Sequence, residues 1–106
     1  MQYTLDYLKE CLIKNFGSDS IQIIISNFET KGLLFEHTDE GPLYHYFDGD
    51  KYPLVELIEE YTSKSVIYRE FDCGLHGHMG CIYDSKQFTT LEAKALTQSY
   101  FKNKPV

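Results

Sequence analysis

This chain of 106 residues contains no tryptophan and no long apolar run, and its number of cysteines, three, is odd. Purely apolar runs do not exceed three residues, as in Ile23–Ile25, whereas a membrane-spanning helix needs about 20 such residues. Residues 1–6 do not combine a basic segment with a following apolar one, so we expect no secretory signal. Three cysteines without an export signal are typical of reduced thiols rather than of a disulfide framework. These absences predict a soluble, cytosolic protein.

Specific catalytic signatures, internal repeats, linkers and low-complexity segments are also missing from the sequence. What is present is typical of a globular protein: 42% of the residues are hydrophobic, and nine tyrosines and seven phenylalanines supply large contact areas. A chain of this length commonly forms one hydrophobic core without the help of a metal or a disulfide. We therefore expect a single domain over residues 1–106.

The spacing of the apolar residues predicts an α+β fold with the element order α-β-β-β-α-β-β-α. Apolar residues recur every three to four positions in three predicted helices, which cover residues 4–16, 53–64 and 90–101. In the second of these helices the predicted buried stripe comprises Leu54, Leu57, Ile58 and Tyr61, and the exposed side carries Glu56, Glu59 and Glu60. β-branched and aromatic residues bounded by turn residues predict five strands: Ile21–Phe28, Leu33–Thr38, Leu43–Phe47, Val66–Phe71 and Met79–Tyr83. The first two of these are predicted to form a hairpin through a four-residue turn, Glu29–Gly32. Short hairpin connections favour a mostly antiparallel sheet of about five strands with the helices packed against it.

The clearest local signature is a capping box before the last predicted helix. Thr89 is followed three residues later by Glu92, and Phe88 precedes the pair at the position of a hydrophobic staple. This arrangement satisfies two backbone N–H groups that the first turn of a helix leaves without partners. It therefore predicts that the last helix begins directly after Thr89.

Four residues of the types that bind metals lie within nine positions in the glycine-rich loop between the last two predicted strands. They follow the pattern C-x2-H-x-H-x2-C and comprise Cys73, His76, His78 and Cys81. Thiolate sulfur and imidazole nitrogen are the atoms that zinc prefers in a tetrahedral site, which makes a zinc-binding loop one interpretation. Structural zinc sites usually take paired ligands from two separate loops, however, and this spacing is not a standard one. An ordinary hairpin tip, a redox-active pair of Cys73 and Cys81, and a catalytic cysteine stay open as alternatives.

The net charge of −6 is distributed unevenly along the chain. Residues 36–60 contain eight acids and one base, Lys51, so this segment carries −7 and the remainder carries about +1. Direct binding to nucleic acid asks for a basic face, which this distribution does not offer. A surface of one sign attracts molecules of the opposite charge, so the segment favours a basic partner.

Tyrosines accompany these acids, and tyrosine is enriched at binding hot spots because it supplies rigid contact area. Carboxylates on the same surface pair with lysines and arginines of a partner. The candidate partner-binding residues are Glu36, Asp39, Glu40, Tyr44, Tyr46, Asp48, Asp50, Tyr52, Glu56, Glu59 and Glu60. The alternative is a solvated surface that keeps the protein soluble. A calcium loop at Asp48 and Asp50 is disfavoured because the distal bidentate glutamate is missing.

In size, charge and lack of catalytic motifs, the chain resembles toxin-immunity proteins and anti-CRISPR proteins. The resemblance is one of overall profile, and it implies an inhibitor without a cofactor that neutralises a basic, nucleic-acid-handling protein, such as a nuclease toxin or a phage-defence effector. Two other hypotheses stay open. One is a small zinc-binding domain organised by the loop of Cys73 and Cys81, and the other is an enzyme that uses His37, His45 or Cys73 within a cleft.

Overall fold

The computed structural model describes residues 4–35 and 52–104, which form four α-helices and a three-stranded antiparallel sheet. In chain order the elements are helix α1 (Leu5–Phe16), helix α2 (Ser20–Lys31), strand β1 (Leu33–Phe35), helix α3 (Tyr52–Thr62), strand β2 (Val66–Asp72), strand β3 (His78–Asp84) and helix α4 (Thr90–Lys102). A short 3-10 turn, Gly74–His76, joins β2 to β3. The α+β class is therefore confirmed. Within the described ranges, no helix is long and apolar enough to cross a membrane.

The middle strand of the sheet is β3, which pairs antiparallel with β1 on one side and with β2 on the other. The predicted hairpin of the last two strands is confirmed, with Ile67 opposite Tyr83 and Phe71 opposite Met79. Strand β1 pairs with the same strand, and its Leu33 also lies opposite Tyr83. The prediction that the Leu33 strand forms a hairpin with the segment before it is wrong, because that segment is not a strand.

Residues Ile21–Phe28, predicted as a strand, belong to helix α2. This helix buries Ile24, Ile25 and Phe28 in a core that α1 and α3 share with it. Phe28 follows Ile24 by four residues and Ile25 by three, which places all three side chains on one helical face. The burial of this face outweighs the modest preference of isoleucine for strands. Gly32, predicted as part of a turn, ends the helix in a left-handed conformation with φ of 75°, and its N–H bonds to the Phe28 carbonyl.

The prediction of about five strands is not confirmed. Three strands form the sheet in the part of the chain that the structure describes, in the order α-α-β-α-β-β-α. Of the strand predicted over Leu33–Thr38, residues Leu33–Phe35 are described and are extended. The strand predicted over Leu43–Phe47 lies outside the described residues.

The sheet separates two hydrophobic cores. On one face, Leu34, Val66 and Ile82 pack with the buried residues of α1, α2 and α3. On the other face, Cys81 and Tyr83 pack with residues of α4 and of the segment that leads into it. Successive residues of a strand point to opposite faces, which is why the neighbours Cys81 and Ile82 belong to different cores. Helices α3 and α4 consequently lie on opposite sides of the sheet.

The start of the last helix, predicted from its capping box, is confirmed, and the first helix is capped by a threonine as well. The Thr4 hydroxyl accepts the Tyr7 N–H at 3.1 Å and caps α1. At α4 both halves of the capping box form: the Thr89 hydroxyl accepts the Glu92 N–H at 3.1 Å, and the Glu92 carboxylate accepts the Thr89 N–H at 3.0 Å. These bonds fix the direction in which α4 leaves the sheet, since they determine where its first turn begins.

Candidate functional site

Three of the predicted partner-binding residues, Glu56, Glu59 and Glu60, are described in full, and all three lie on helix α3. Tyr52 is the first residue of this helix, but its side chain is not described. The other predicted residues lie outside the described ranges: Glu36, Asp39, Glu40, Tyr44, Tyr46, Asp48 and Asp50. The same is true of His37 and His45, the candidate catalytic histidines of the enzyme hypothesis. A common surface for the whole set stays a prediction.

Helix α3 presents its three glutamates to solvent on one side. Glu56 is separated from Glu59 by three positions and from Glu60 by four, which places the carboxylates within about one turn of each other. On the opposite side, Leu57 and Ile58 are 0% exposed in the core. The glutamates are therefore carried by a helix whose backbone is held in place by packing, and their arrangement does not depend on a loop.

One of the three carboxylates is paired within the protein. The Nζ atom of Lys9, on α1, lies 2.8 Å from Oε2 of Glu60, and this hydrogen bond raises the pKa of the lysine above its ordinary value. In the described part of the chain, the carboxylates of Glu56 and Glu59 have no such partner. Two of the three carboxylates on this turn are therefore not paired with any base of the described residues.

Tyr61 lies near Glu60 at the end of this helix and is exposed, although the apolar spacing of α3 predicted that it would be buried. The side chain is 49% exposed, and the Lys9 ammonium lies 5.4 Å from the centroid of its ring. The prediction was wrong because α3 ends at Thr62, one residue later, beyond the region where Leu54, Leu57 and Ile58 meet the core. We refer to Glu56, Glu59, Glu60 and Tyr61 together as the acidic α3 surface.

The charges of the described residues are polarised across the sheet. Helices α1 to α3 and the turn between α1 and α2 carry seven acids and three lysines, a net charge of −4. Residues 85–104, which contain α4 on the other side, carry four lysines and one glutamate, a net charge of +3. Sequence order alone did not reveal this polarity, because it depends on which face of the sheet each helix covers.

The four predicted zinc ligands occupy different environments at the β2–β3 hairpin. Cys81 is 0% exposed in the core under α4, and burial raises the pKa of its thiol to about 12. Cys73 follows β2, where burial also raises its pKa and its thiol donates to the Phe71 carbonyl at 3.5 Å. The Nε2 atom of His76 lies 3.2 Å from the carbonyl oxygen of Lys104, while His78 is exposed at the start of β3.

These four side chains are not brought together. Cys81 lies opposite Arg69 in the sheet, whereas the Cys73 N–H bonds to the Gly77 carbonyl at 2.8 Å, so the two cysteines do not face each other across the hairpin. In the described ranges, no three His, Cys, Asp or Glu side chains are placed to hold a metal ion. The zinc site stays a prediction that this arrangement does not favour, and the three cysteines are free thiols.

The hairpin tip is instead held by ordinary hydrogen bonds. The Asp72 carboxylate accepts the Gly74 N–H at 3.0 Å, and the Gln98 side chain of α4 donates to the Asp72 carbonyl at 2.8 Å. Leu75, which sequence reasoning did not single out, is 87% exposed at this tip. Its position between two glycines in a predicted turn was the signal for its exposure.

Comparisons of the chain with protein-family models, with curated proteins and with solved structures gave no significant match. Its function is therefore inferred from the geometry and the charge of its own surface.

Proposed function

We propose that the chain is a small binding protein that inhibits a basic, nucleic-acid-handling protein by means of the acidic α3 surface. The observation that supports this proposal most directly is the exposure of Glu56, Glu59 and Glu60 within one turn of a helix that is anchored in the core. A cluster of like charges on one turn repels itself slightly. A cationic partner relieves this repulsion when it binds.

The chemistry of the surface suits a protein that normally binds nucleic acid. Such proteins place lysines and arginines where they neutralise phosphates, and carboxylates at a similar spacing are able to occupy the same positions. Tyr61 adds an exposed aromatic ring near the Glu60 carboxylate, of the kind that is enriched in binding hot spots. Because the helix backbone is fixed before binding, little conformational entropy is lost on association.

The partner class that we propose is a nuclease toxin or a phage-defence effector with a basic nucleic-acid channel. Occupation of that channel by the acidic α3 surface inhibits the partner by excluding its substrate. The acids and tyrosines of residues 36–52 extend the same surface in this proposal. Residues 36–52 contain five acids and one base, Lys51, so they carry −4 of the net charge of −6.

A pull-down from lysate of the native host tests this function. We expect the wild-type protein to retain a basic nucleic-acid-handling protein at low salt and to lose it at high salt, where charges are screened over a few ångströms. The triple variant E56K/E59K/E60K should lose the partner. A matched control, E10K/D19K/E29K, changes the net charge equally on exposed positions of α1, α2 and the turn between them, and it should retain the partner.

Two results would contradict the proposal. If the triple variant retains the partner as well as the control does, α3 is not part of the interface. If no basic nucleic-acid-handling protein is retained by the wild type, the proposed partner class is wrong. Circular dichroism of both variants establishes that they are folded. In a separate assay, the nuclease activity of the retained partner should fall when purified wild-type protein is added.

A further inference from the structure

The outer face of helix α4 combines exposed apolar and basic side chains. Leu91 is 77% exposed, and Leu96 is exposed as well. Lys94 and Lys102 are exposed on the same helix, whereas Ala93, Thr97 and Phe101 face the interior. We call the set of Leu91, Lys94 and Lys102, which share one side of the helix, the basic α4 surface. It is a mixed apolar and cationic surface, and such a surface fits a partner that offers exposed carboxylates beside an exposed aromatic or aliphatic group.

The chain itself carries a surface of that composition on the other side of its sheet. The acidic α3 surface presents Glu56 and Glu59 without a partner among the described residues, and the half-exposed ring of Tyr61 lies near Glu60, because Lys9 contacts both. Both surfaces lie on helices that are anchored in a hydrophobic core, so both are fixed before contact. We propose that the basic α4 surface binds a second copy of this chain through the acidic α3 surface of that copy.

The positions of the two surfaces determine the kind of assembly. Helix α3 and helix α4 cover opposite faces of the sheet, so a copy that is bound through α4 still presents its own α3 surface on its far side. The contact is heterologous, and contacts of this type continue from copy to copy unless they close into a ring. We therefore expect the mean mass to keep increasing with protein concentration rather than to stop at a dimer.

Salt concentration affects this contact in two ways because every copy carries a net charge of −6. At about 0.1 M salt the Debye length is about 10 Å, which screens the repulsion between whole molecules but leaves adjacent charges attracted to each other. At about 1 M salt the Debye length is about 3 Å, and the attraction is screened as well. Association should therefore be present at the lower of these two concentrations and lost at the higher one.

This inference rests on the proposed function, because the second copy uses the surface that we assign to the basic partner. The two ligands of the acidic α3 surface exclude each other, so binding of the basic partner should dissociate the assembly. In the absence of the partner, self-association covers an exposed charged surface. The partner thus controls how much of the protein is assembled.

Sedimentation velocity of charge-swapped variants tests the contact. The variant E56K/E59K makes both surfaces basic, and the variant K94E/K102E makes both surfaces acidic. Each variant alone should stay monomeric at about 0.1 M salt, whereas an equimolar mixture should regain the concentration-dependent mass of the wild type. The control D19K/E29K alters the net charge as much as E56K/E59K does but leaves both surfaces intact, and it should associate.

Several outcomes would overturn the inference: a wild-type protein that stays monomeric at all concentrations, either swapped variant associating alone like the wild type, or a mixture of the two variants that stays monomeric. A polylysine peptide, titrated onto the wild type and onto E56K/E59K, distinguishes failure of the self-association from failure of the proposed function. If the peptide binds the wild type and not the variant, the acidic α3 surface binds cations even when no second copy occupies it.

Discussion

At the scale of single residues, the three cysteines differ in how far the fold withholds them from solvent. Cys81 is 0% exposed between the sheet and α4, whereas Cys11 and Cys73 are partly exposed. The thiolate is the reactive form of cysteine, so a raised pKa and burial both suppress reaction with a reagent in solution. For Cys81 both effects act together, because burial raises the pKa of its thiol to about 12.

We therefore predict that thiol reagents distinguish the three cysteines in the folded protein. At about pH 9, the partly exposed Cys11 and Cys73 should react with iodoacetamide, whereas Cys81, which is covered and whose pKa is raised to about 12, should stay protonated and unmodified. Mass spectrometry of the intact protein should show two additions, and a third should appear after denaturation. The variant C73S serves as a control and should show one addition. Equal rates for all three thiols in the folded state would contradict the burial of Cys81.

At the scale of elements, the start of α4 illustrates how a local sequence signal fixes a structural boundary. Thr89 and Glu92 exchange side-chain to backbone hydrogen bonds, as the sequence pattern predicts. A threonine at this position satisfies an N–H group that would otherwise have no partner in the helix. The cap affects the core between the sheet and α4, since α4 supplies Ala93 to this core and places Phe101 beside Phe35.

Replacement of Thr89 by alanine should lower the free energy of unfolding by about 1 kcal/mol, because the Glu92 N–H loses its acceptor. Urea denaturation monitored by circular dichroism measures this change. Serine keeps the hydroxyl group, so T89S should be close to the wild type. S99A, on the exposed side of the same helix, should be neutral or slightly stabilising because alanine is the better helix former. A T89A variant as stable as S99A would contradict the capping role.

The elements that the sequence predicted correctly are those that local chemistry specifies. The capping box of Thr89 and Glu92 marks the start of the last helix, and the hairpin around residues 66–83 is bounded by turn residues and closed by local pairing. Helix α2 was predicted wrongly because Ile21–Phe28 has the composition of a strand, whereas its conformation is decided by distant partners in α1 and α3. The spacing of Ile24, Ile25 and Phe28, with Gly32 as a C-terminal cap, was the competing signal.

In the candidate site, too, the features that depend on local sequence were predictable, and those that depend on distant contacts were not. The outward placement of Glu56, Glu59 and Glu60 follows from the helical period of α3, and the structure confirms their exposure. The exposure of Tyr61 does not follow from that period, since it depends on where the core ends. The separation of the Cys73 and Cys81 side chains depends on the register of β2 and β3, which the sequence alone does not determine.

At the scale of the whole molecule, strand β3 connects the two hydrophobic cores. Every residue from Gly80 to Asp84 is buried, and the strand is paired on both sides. Ile82 belongs to the core of α1, α2 and α3, whereas Cys81 and Tyr83 belong to the core of α4. Loss of either core therefore still leaves β3 covered on its other face, and exposure of its backbone requires that both cores open.

This arrangement predicts where amide hydrogen exchange is slowest. The amides of Cys81, Ile82 and Tyr83 should exchange only through global unfolding, because partial opening of one core leaves them paired and covered. Their opening free energy should equal that obtained from denaturant unfolding, about 5–15 kcal/mol for a domain of this kind. Helix α1 contacts one core and should exchange through smaller openings, which serves as the internal comparison in the same experiment. Exchange measured by nuclear magnetic resonance resolves these amides individually. If those of β3 exchanged as fast as those of α1, the two cores would not be joined through this strand.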